Sequence, residues 1–300
     1  MRVLLMKLRA IGQGRDNANR KSALGMLSMP YGWGRLRRSC AACQRKAGDR
    51  SYNLKMPKFA HNKTSTSNGQ GGAVYLNDAA ASIMYAEFMG NRADEGNALY
   101  ATNDSNVGFY NSFMFYNGNQ GLQNYSDKFL FAIHDSVIQM HNITSSINQV
   151  TTATIGGTNA DYFIFNSIMY ESITGQTANL INSVGQFYCV VLENVFGVQN
   201  LSNGLVGQDP MFQNQQYGDF HLKANSPAID LCAYDLSQMP SHLASRVADE
   251  QFLEASIDFD GEQRIWDDPE VNNVLGPIDA GADESYAGDV IFKSDFVALF

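Results

Sequence analysis

Charge is scarce in this sequence. Asp, Glu, Lys and Arg make up 17% of its 300 residues, against roughly a quarter in ordinary globular domains. That excludes a long charged coiled coil, and it excludes charge-driven disorder as a description of the whole chain. Proline is scarce too, at 7. No run approaches the ~18 consecutive apolar residues of a transmembrane helix, so no membrane-spanning segment is expected. Cysteine numbers only 4. Cys40 and Cys43 form a lone CxxC, whereas a zinc site needs four ligands within reach. Cys189 sits in an apolar run and Cys232 in a loop, and neither has an evident partner. The cysteines therefore do not fix the redox compartment.

What is present is apolar and rich in amides. Hydrophobic residues reach 44%, enough for a sizeable core. Asparagine occurs 27 times, and 21 of these lie between Asn62 and Asn214. The formal net charge of −9 conceals a split. Residues 1–63 hold 15 of the 21 Lys and Arg against two acids, Asp16 and Asp49, a balance of +13. Residues 64–300 hold 6 basic and 28 acidic residues, a balance of −22.

The basic start lacks the logic of a folded domain. Its apolar run, Val3 to Met6, is broken by Lys7 and Arg9. It does not supply the ~7–15 apolar residues of a secretory signal core. A basic, acid-poor start also has the character of a transit peptide or a nucleic-acid-binding arm. Arg35, Arg37 and Arg38, near Tyr31 and Trp33, could contact phosphates and bases. No folded nucleic-acid-binding motif accompanies them. Residues 1–58 are expected to be a disordered or wrongly assigned leader, and no nucleic-acid partner is expected.

From about Phe59 short apolar runs alternate with Asn, Gly and Ser. GGAVY at Gly71–Tyr75 recurs as GNALY at Gly96–Tyr100, an offset of 25. Phe59-Ala-His-Asn62 matches Phe88-Met-Gly-Asn91 at an offset of 29, and Phe88 is followed 25 residues later by Phe113. Asn111-Ser-Phe recurs as Asp135-Ser-Val, Asn166-Ser-Ile and Glu193-Asn-Val, with steps of 24, 31 and 27. Within each unit the period is two, as in Val107, Phe109 and Asn111 or Tyr162, Ile164 and Asn166. Short strands one repeat apart, with no helical stripe between them, stack as rungs of a parallel β-helix. Asn and Gly tolerate the positive φ of its corners, and stacked Asn side chains pair their amides along a column. Asn91, Asn117 and Asn142 are candidates for one column, with Asn111 and Asn166 beside the strands.

These residues resemble a family. The stretches from Gly69 through Asn119 look like coils of bacterial right-handed parallel β-helix proteins of the polymorphic outer-membrane repeat type. GLVGQDPMFQNQQYGDFHLKANSPAID at Gly204–Asp230 resembles the closing segment of β-helix proteins carrying a choice-of-anchor Q domain. So do IDFDGEQR at Ile257–Arg264 and GPIDAGADE at Gly276–Glu284, and DVIFKSDF at Asp289–Phe296 resembles the tail that follows. The resemblance implies an all-β fold: a right-handed parallel β-helix over 59–212, an irregular capping region over 213–284 packed on its end, and a tail over 285–300. In that cap Trp266 and Ile278 would cover the last rung. The resemblance also implies an extracellular or outer-membrane-associated location. Relatives of this type carry a signal peptide and earlier coils, so a truncated or misassigned start is expected.

Chemistry is harder to find. A polyuronate lyase needs an Arg or Lys base, yet the coils past Thr64 offer only Arg92 and Lys128 before Lys223. A body at −22 would also repel a polyanion. A glycoside hydrolase needs two opposed carboxylates about 5–9.5 Å apart. Glu87 is a candidate to share a face with Asp135 or Glu193. His134 and His141 flank Asp135 and form a candidate metal or acid–base cluster. His221, within the closing string, reads as a packing residue. Eighteen of the 28 body acids lie from Asp209 onward. Asp258-Phe-Asp260-Gly261 opens like an oxygen-ligand calcium loop but lacks the later ligands of an EF-hand. Asp258 and Asp260 are candidate calcium ligands, with Asp279 or Asp283 in support. No catalytic set emerges. The expected function is that of a non-enzymatic, monomeric, adhesin-like protein binding carbohydrate or other cell-surface partners. A polysaccharide lyase or glycoside hydrolase is the alternative.

Overall fold

A computed structural model describes residues 51–64, 68–118, 127–171, 183–193, 200–232, 257–264, 274 and 276–285. The CxxC, the arginine cluster, Trp266 and the Asp289–Phe296 tail lie outside the described residues. The described chain is all-β and contains no α-helix. Strands Ser51–Lys55, Ala80–Met84, Asn106–Phe115, Phe129–Ser146, Ala153–Tyr170, Ser183–Leu192 and Asn200–Ser202 follow one another in hydrogen-bonded order, every pair parallel. Lys58–Ala60 and Glu87–Met89 begin a second face, and Val74–Asn77 and Leu99–Thr102 a third. The chain is a parallel β-helix with three faces per turn. Coil pairing already includes Ser51–Lys55, upstream of Phe59.

Inward columns make the core. On the first face Leu54, Ile83, Phe109, Met140, Ile164, Phe187 and Leu201 stack in register. On the third face Val74, Leu99, Phe131 and Ile155 do the same. Side chains on alternate strand positions thus fill one dry interior.

Three corners turn the chain, and each uses left-handed φ. Tyr85, Asn111, Asn142, Asn166, Cys189 and Asn203 turn from the first face to the second. His61, Gly90, Tyr116 and Ile147 end the second face, and Asp78, Asn103, Asp104, Asp135 and Asn159 end the third. Serine restores the hydrogen bonds that a corner interrupts. The Ser112 hydroxyl accepts from Ala86 N in the preceding rung and donates to Tyr110 O. Ser167 repeats this with Ile143 N and Phe165 O, and Ser136 with Ser105 N and His134 O.

A buried polar column runs along the corner that closes the second face. Asn62, Asn91, Asn117 and Asn148 pass side-chain amide bonds from rung to rung at 2.8–2.9 Å. Their sequence steps are 29, 26 and 31 residues. Glu171 takes the next position, 23 residues on. Asn142 belongs to another column, where its amide donates to Asn111 Oδ1 at 2.8 Å. The expected Asn91–Asn117–Asn142 column is thereby corrected. Two corners share an Asn/Asp-Ser sequence, and this confuses their phase. Asp135-Ser136 sits at the corner after the third face, not in line with Asn111-Ser112. Phe88 likewise pairs with Met114, and Phe113 with Glu87.

The C-terminal region is irregular, but its described parts do not sit on the end of the helix. They form a strap along its flank. Phe212–Asn214 and Asp219–Leu222 make an antiparallel hairpin around a 3-10 turn at Gln215–Tyr217. Phe220 packs on Phe113 and Phe115, and Phe259 meets Phe113 edge-on. Ala282 N donates to Thr144 Oγ1, Gly281 N to Asn166 O, and Asn111 Nδ2 to Ile257 O. Gly281, at φ 114°, passes so close that a Cβ would lie 2.8 Å from Thr144 Oγ1. The reason is apolar: Phe113, Phe115, Phe163, Phe165, Tyr188 and Val191 point outward, and the strap buries them with Leu222, Ile229, Leu231, Ile278 and Ala280. Cys189 and Cys232 pair as a disulfide that ties the strap to a corner, 43 residues apart in sequence.

Candidate functional site

Two places combine polar chemistry with access. The first is the outer ridge where the third face turns into the first. Asn103 Nδ2 donates to Asn77 Oδ1 at 2.8 Å, and Asn159 Nδ2 donates to Asp135 Oδ1 at 2.9 Å, both exposed. Asp78, Asp104, Thr158 and Asp161 are exposed around them. Beside the ridge Tyr75 and Tyr100 stack almost coplanar, with centroids 5.4 Å apart and planes 4° apart. Burial, and then the carboxylate of Glu95, raises the Tyr100 phenol to about 12. The stack continues to His134, whose Nδ1 meets Thr158 Oγ1 at 3.1 Å.

The histidines do not form a cluster with Asp135. His134 lies on this outer stack, whereas His141 is buried between Tyr110 and Phe165. Burial lowers His141 to about 3, so its imidazole is neutral. The corner at Asp135 turns the chain between them. Glu87 shares its rung column with Phe113, Thr144 and Ile168, so it joins neither Asp135 nor Glu193. Its carboxylate pairs with Lys58 at 2.6 Å.

The second place is the junction of strap and helix. His221 and Asp219 lie two apart on one hairpin strand and so share a face. Asp219 Oδ1 holds His221 Nδ1 at 2.7 Å. His221 Nε2 faces Asp283 Oδ2 at 3.5 Å and Asp260 Oδ2 at 3.8 Å. Burial opposes a charge on the imidazole, yet Asp260, Asp283 and Asp219 together outweigh it and raise His221 to about 10. His221 in turn holds Asp260 below the usual carboxylate range, while burial drives Asp283 well above it. Glu87, Phe113, Phe115, Gly218, Phe220 and Phe259 complete a recess of ≈ 20 Å³.

The candidate calcium ligands lie at this junction but differ in what they do. Asp258 is buried, and its Oδ1 accepts Gly261 N at 3.0 Å and Glu262 N at 2.8 Å. Burial, then Asp260, raises it to about 6. Asp260 turns to His221. Asp279 is spent on Asp230 N and Ser285 N at 2.8 Å each. Asp283 faces His221. The sequence reading missed the role of His221 and Asp219; the Asp-Phe-His spacing on a strand was the available signal. No family model matches the chain, and neither curated proteins nor solved structures give a match.

Proposed function

We propose that the chain is an exported, non-catalytic β-helix protein of the polymorphic outer-membrane repeat and choice-of-anchor Q type, whose outer ridge binds carbohydrate at a cell surface. The ridge carries this reading. Its amide and carboxylate groups recur once per rung, ~4.8 Å apart, and they stand beside an aromatic stack. Fixed amides and carboxylates suit sugar hydroxyls as hydrogen-bond partners, and the half-buried Tyr75, stacked on buried Tyr100, offers apolar surface to a C–H face. The Cys189–Cys232 disulfide supports export, because such bonds persist in oxidising compartments. The recess where acids converge supports a binder over a hydrolase. At ≈ 20 Å³ it is far below the roughly 300–1,000 Å³ of small-ligand pockets.

Calorimetry of the full chain against neutral and acidic cell-surface polysaccharides tests the proposal. Binding to at least one of them is expected. The double variant Asn103→Gly/Asn159→Gly should weaken it at least ~10-fold while keeping the melting temperature close to that of the parent, since both positions are exposed and glycine keeps their left-handed φ. Binding to none, or binding indifferent to the double variant, would sink the reading. Release of reducing ends would show an enzyme instead.

A further inference from the structure

The junction holds one feature that neither packing nor the ridge explains. His221 is 7% exposed, and its Nε2 is buried without a hydrogen-bond partner. That nitrogen points into the recess between two carboxylates. A bare acidic cluster would mean little; a buried imidazole nitrogen aimed at it means more. We propose that His221 Nε2, Asp260 Oδ2 and Asp283 Oδ2 ligate a divalent transition ion of the zinc type, with Asp219 as the outer partner that orients the imidazole.

Four observations agree. The three ligand atoms lie within 4.8 Å of one another. The two gaps from Nε2, 3.5 and 3.8 Å, need close by only a few tenths of an ångström, because ligands ~2.1 Å from one ion stand ~3.0–3.5 Å apart. Asp219 on Nδ1 leaves Nε2 as the metal-facing nitrogen, the carboxylate–histidine–metal arrangement. The recess, at ≈ 20 Å³, exceeds the ~10–15 Å³ that a single water or ion needs. The ligand set also selects the ion: calcium takes oxygen ligands only, whereas imidazole with carboxylate suits zinc and its neighbours. Such an ion would clamp the hairpin, the 257–264 loop and the 276–285 segment onto one another. The ion takes the Nε2 lone pair, and any proton held there leaves to solvent.

The chelator-treated full chain is titrated with Zn²⁺ and Co²⁺, followed by calorimetry and, for Co²⁺, by visible absorption. One ion per chain is expected, with ligand-field bands for Co²⁺ and a rise in melting temperature. Ca²⁺ should not compete. Asp260→Asn and Asp283→Asn should each abolish binding, Asp219→Asn should weaken it roughly 10–100-fold, and Glu262→Gln should leave it unchanged. In the wild-type chain, imidazole ¹⁵N NMR should show the Nε2 resonance of one of the 5 histidines moving to that of a metal-bound nitrogen on zinc addition, a readout that no folding defect can mimic. No heat and no bands would overturn the site. Binding lost in Glu262→Gln but kept in Asp283→Asn would overturn it too, since the ion would then sit among Asp258, Asp260 and Glu262.

Discussion

Glu171 stands where the buried asparagine column would place a fifth Asn. Its Oε2 accepts Asn148 N at 2.5 Å, and its Oε1 accepts Asn148 Nδ2 at 3.1 Å and Ser145 Oγ at 2.9 Å. In the preceding rungs a single Asn Oδ1 accepts the equivalent pair of bonds, and the Asn amide donates to a carbonyl one rung back. Asn91 uses Phe59 O, Asn117 uses Phe88 O, and Asn148 uses Met114 O. The register continues to Ser145, so an Asn at 171 would donate to Ser145 O. Burial raises the Glu171 carboxyl from 4.5 to about 7, against the hydrogen bonds that favour its charge. At ~1.36 kcal/mol per unit this is worth about 3 kcal/mol. The folded pKa lies above the unfolded one, so the folded chain binds the extra proton. Its contribution is full below about 4.5 and is lost as pH rises to about 7. Glu171→Asn removes the titration. Urea unfolding of both proteins at pH 4.5, 6 and 8 isolates it, because every other titrating group is common to the two. The stability of the variant relative to the parent should climb by about 3 kcal/mol from pH 4.5 to 8. Parallel pH profiles would refute the argument, whatever the constant offset between them.

The disulfide closes a loop with a sequence separation of 43, so Cys189→Ser/Cys232→Ser should lose about 4 kcal/mol on the chain-entropy account; unfolding in urea with and without reductant reads this, and an unchanged midpoint would contradict it. Phe220 contacts Phe113, Phe115 and Phe212, and Phe220→Ala should cost ~3–5 kcal/mol. Limited proteolysis of that variant should cut the strap before the coils; simultaneous cutting would mean that the strap is not a separable cover. Asn117→Ala strips partners from Asn91 N and Nδ2 and from Phe88 O, and leaves Asn148 Oδ1 with the residue-117 backbone N–H but not the amide. It should cost at least ~3 kcal/mol, and a loss under ~1 kcal/mol by urea unfolding would argue that water fills the column.

The coils were legible because their chemistry is local. Gly71–Tyr75 and Gly96–Tyr100 pair at the offset that their sequences show, and so do Phe59 and Phe88. Phase failed where two corners use the same chemistry. Asn111-Ser112 and Asp135-Ser136 both place a polar residue at left-handed φ before a hydroxyl that bridges rungs. Nothing in either dipeptide says which corner it occupies. The strap was illegible for another reason. Alternation reads as inside against outside, yet Tyr162 to Met169 is apolar on both faces: Tyr162 and Ile164 point inward, and Phe163, Phe165 and Ile168 point outward. A strand apolar on both sides is covered on both sides, and that was the signal for a flank cover. The disulfide depended on the same docking, since Cys189 turns outward at its corner only to meet a segment far along the chain.

The acidic body reads differently once the strap is seen. An irregular segment has no ladder to satisfy its backbone N–H groups, and carboxylates are acceptor-only groups that can. Asp258 accepts from Gly261, Glu262 and Glu284; Asp279 from Asp230 and Ser285; Glu284 from Asp279. These acids are buried, and Arg264 threads among them to Gly281 O and Ala282 O. Burial drives Asp279 to about 7 and Glu284 well above its usual range. Part of the formal −22 of residues 64–300 is therefore internal wiring, and part of it holds protons near neutral pH. The folded chain presents a weaker negative field than its composition counts. Repulsion of an acidic polysaccharide is correspondingly weaker, and on the outer ridge, where binding is proposed, the exposed carboxylates among the described residues are Asp78, Asp104, Asp135 and Asp161.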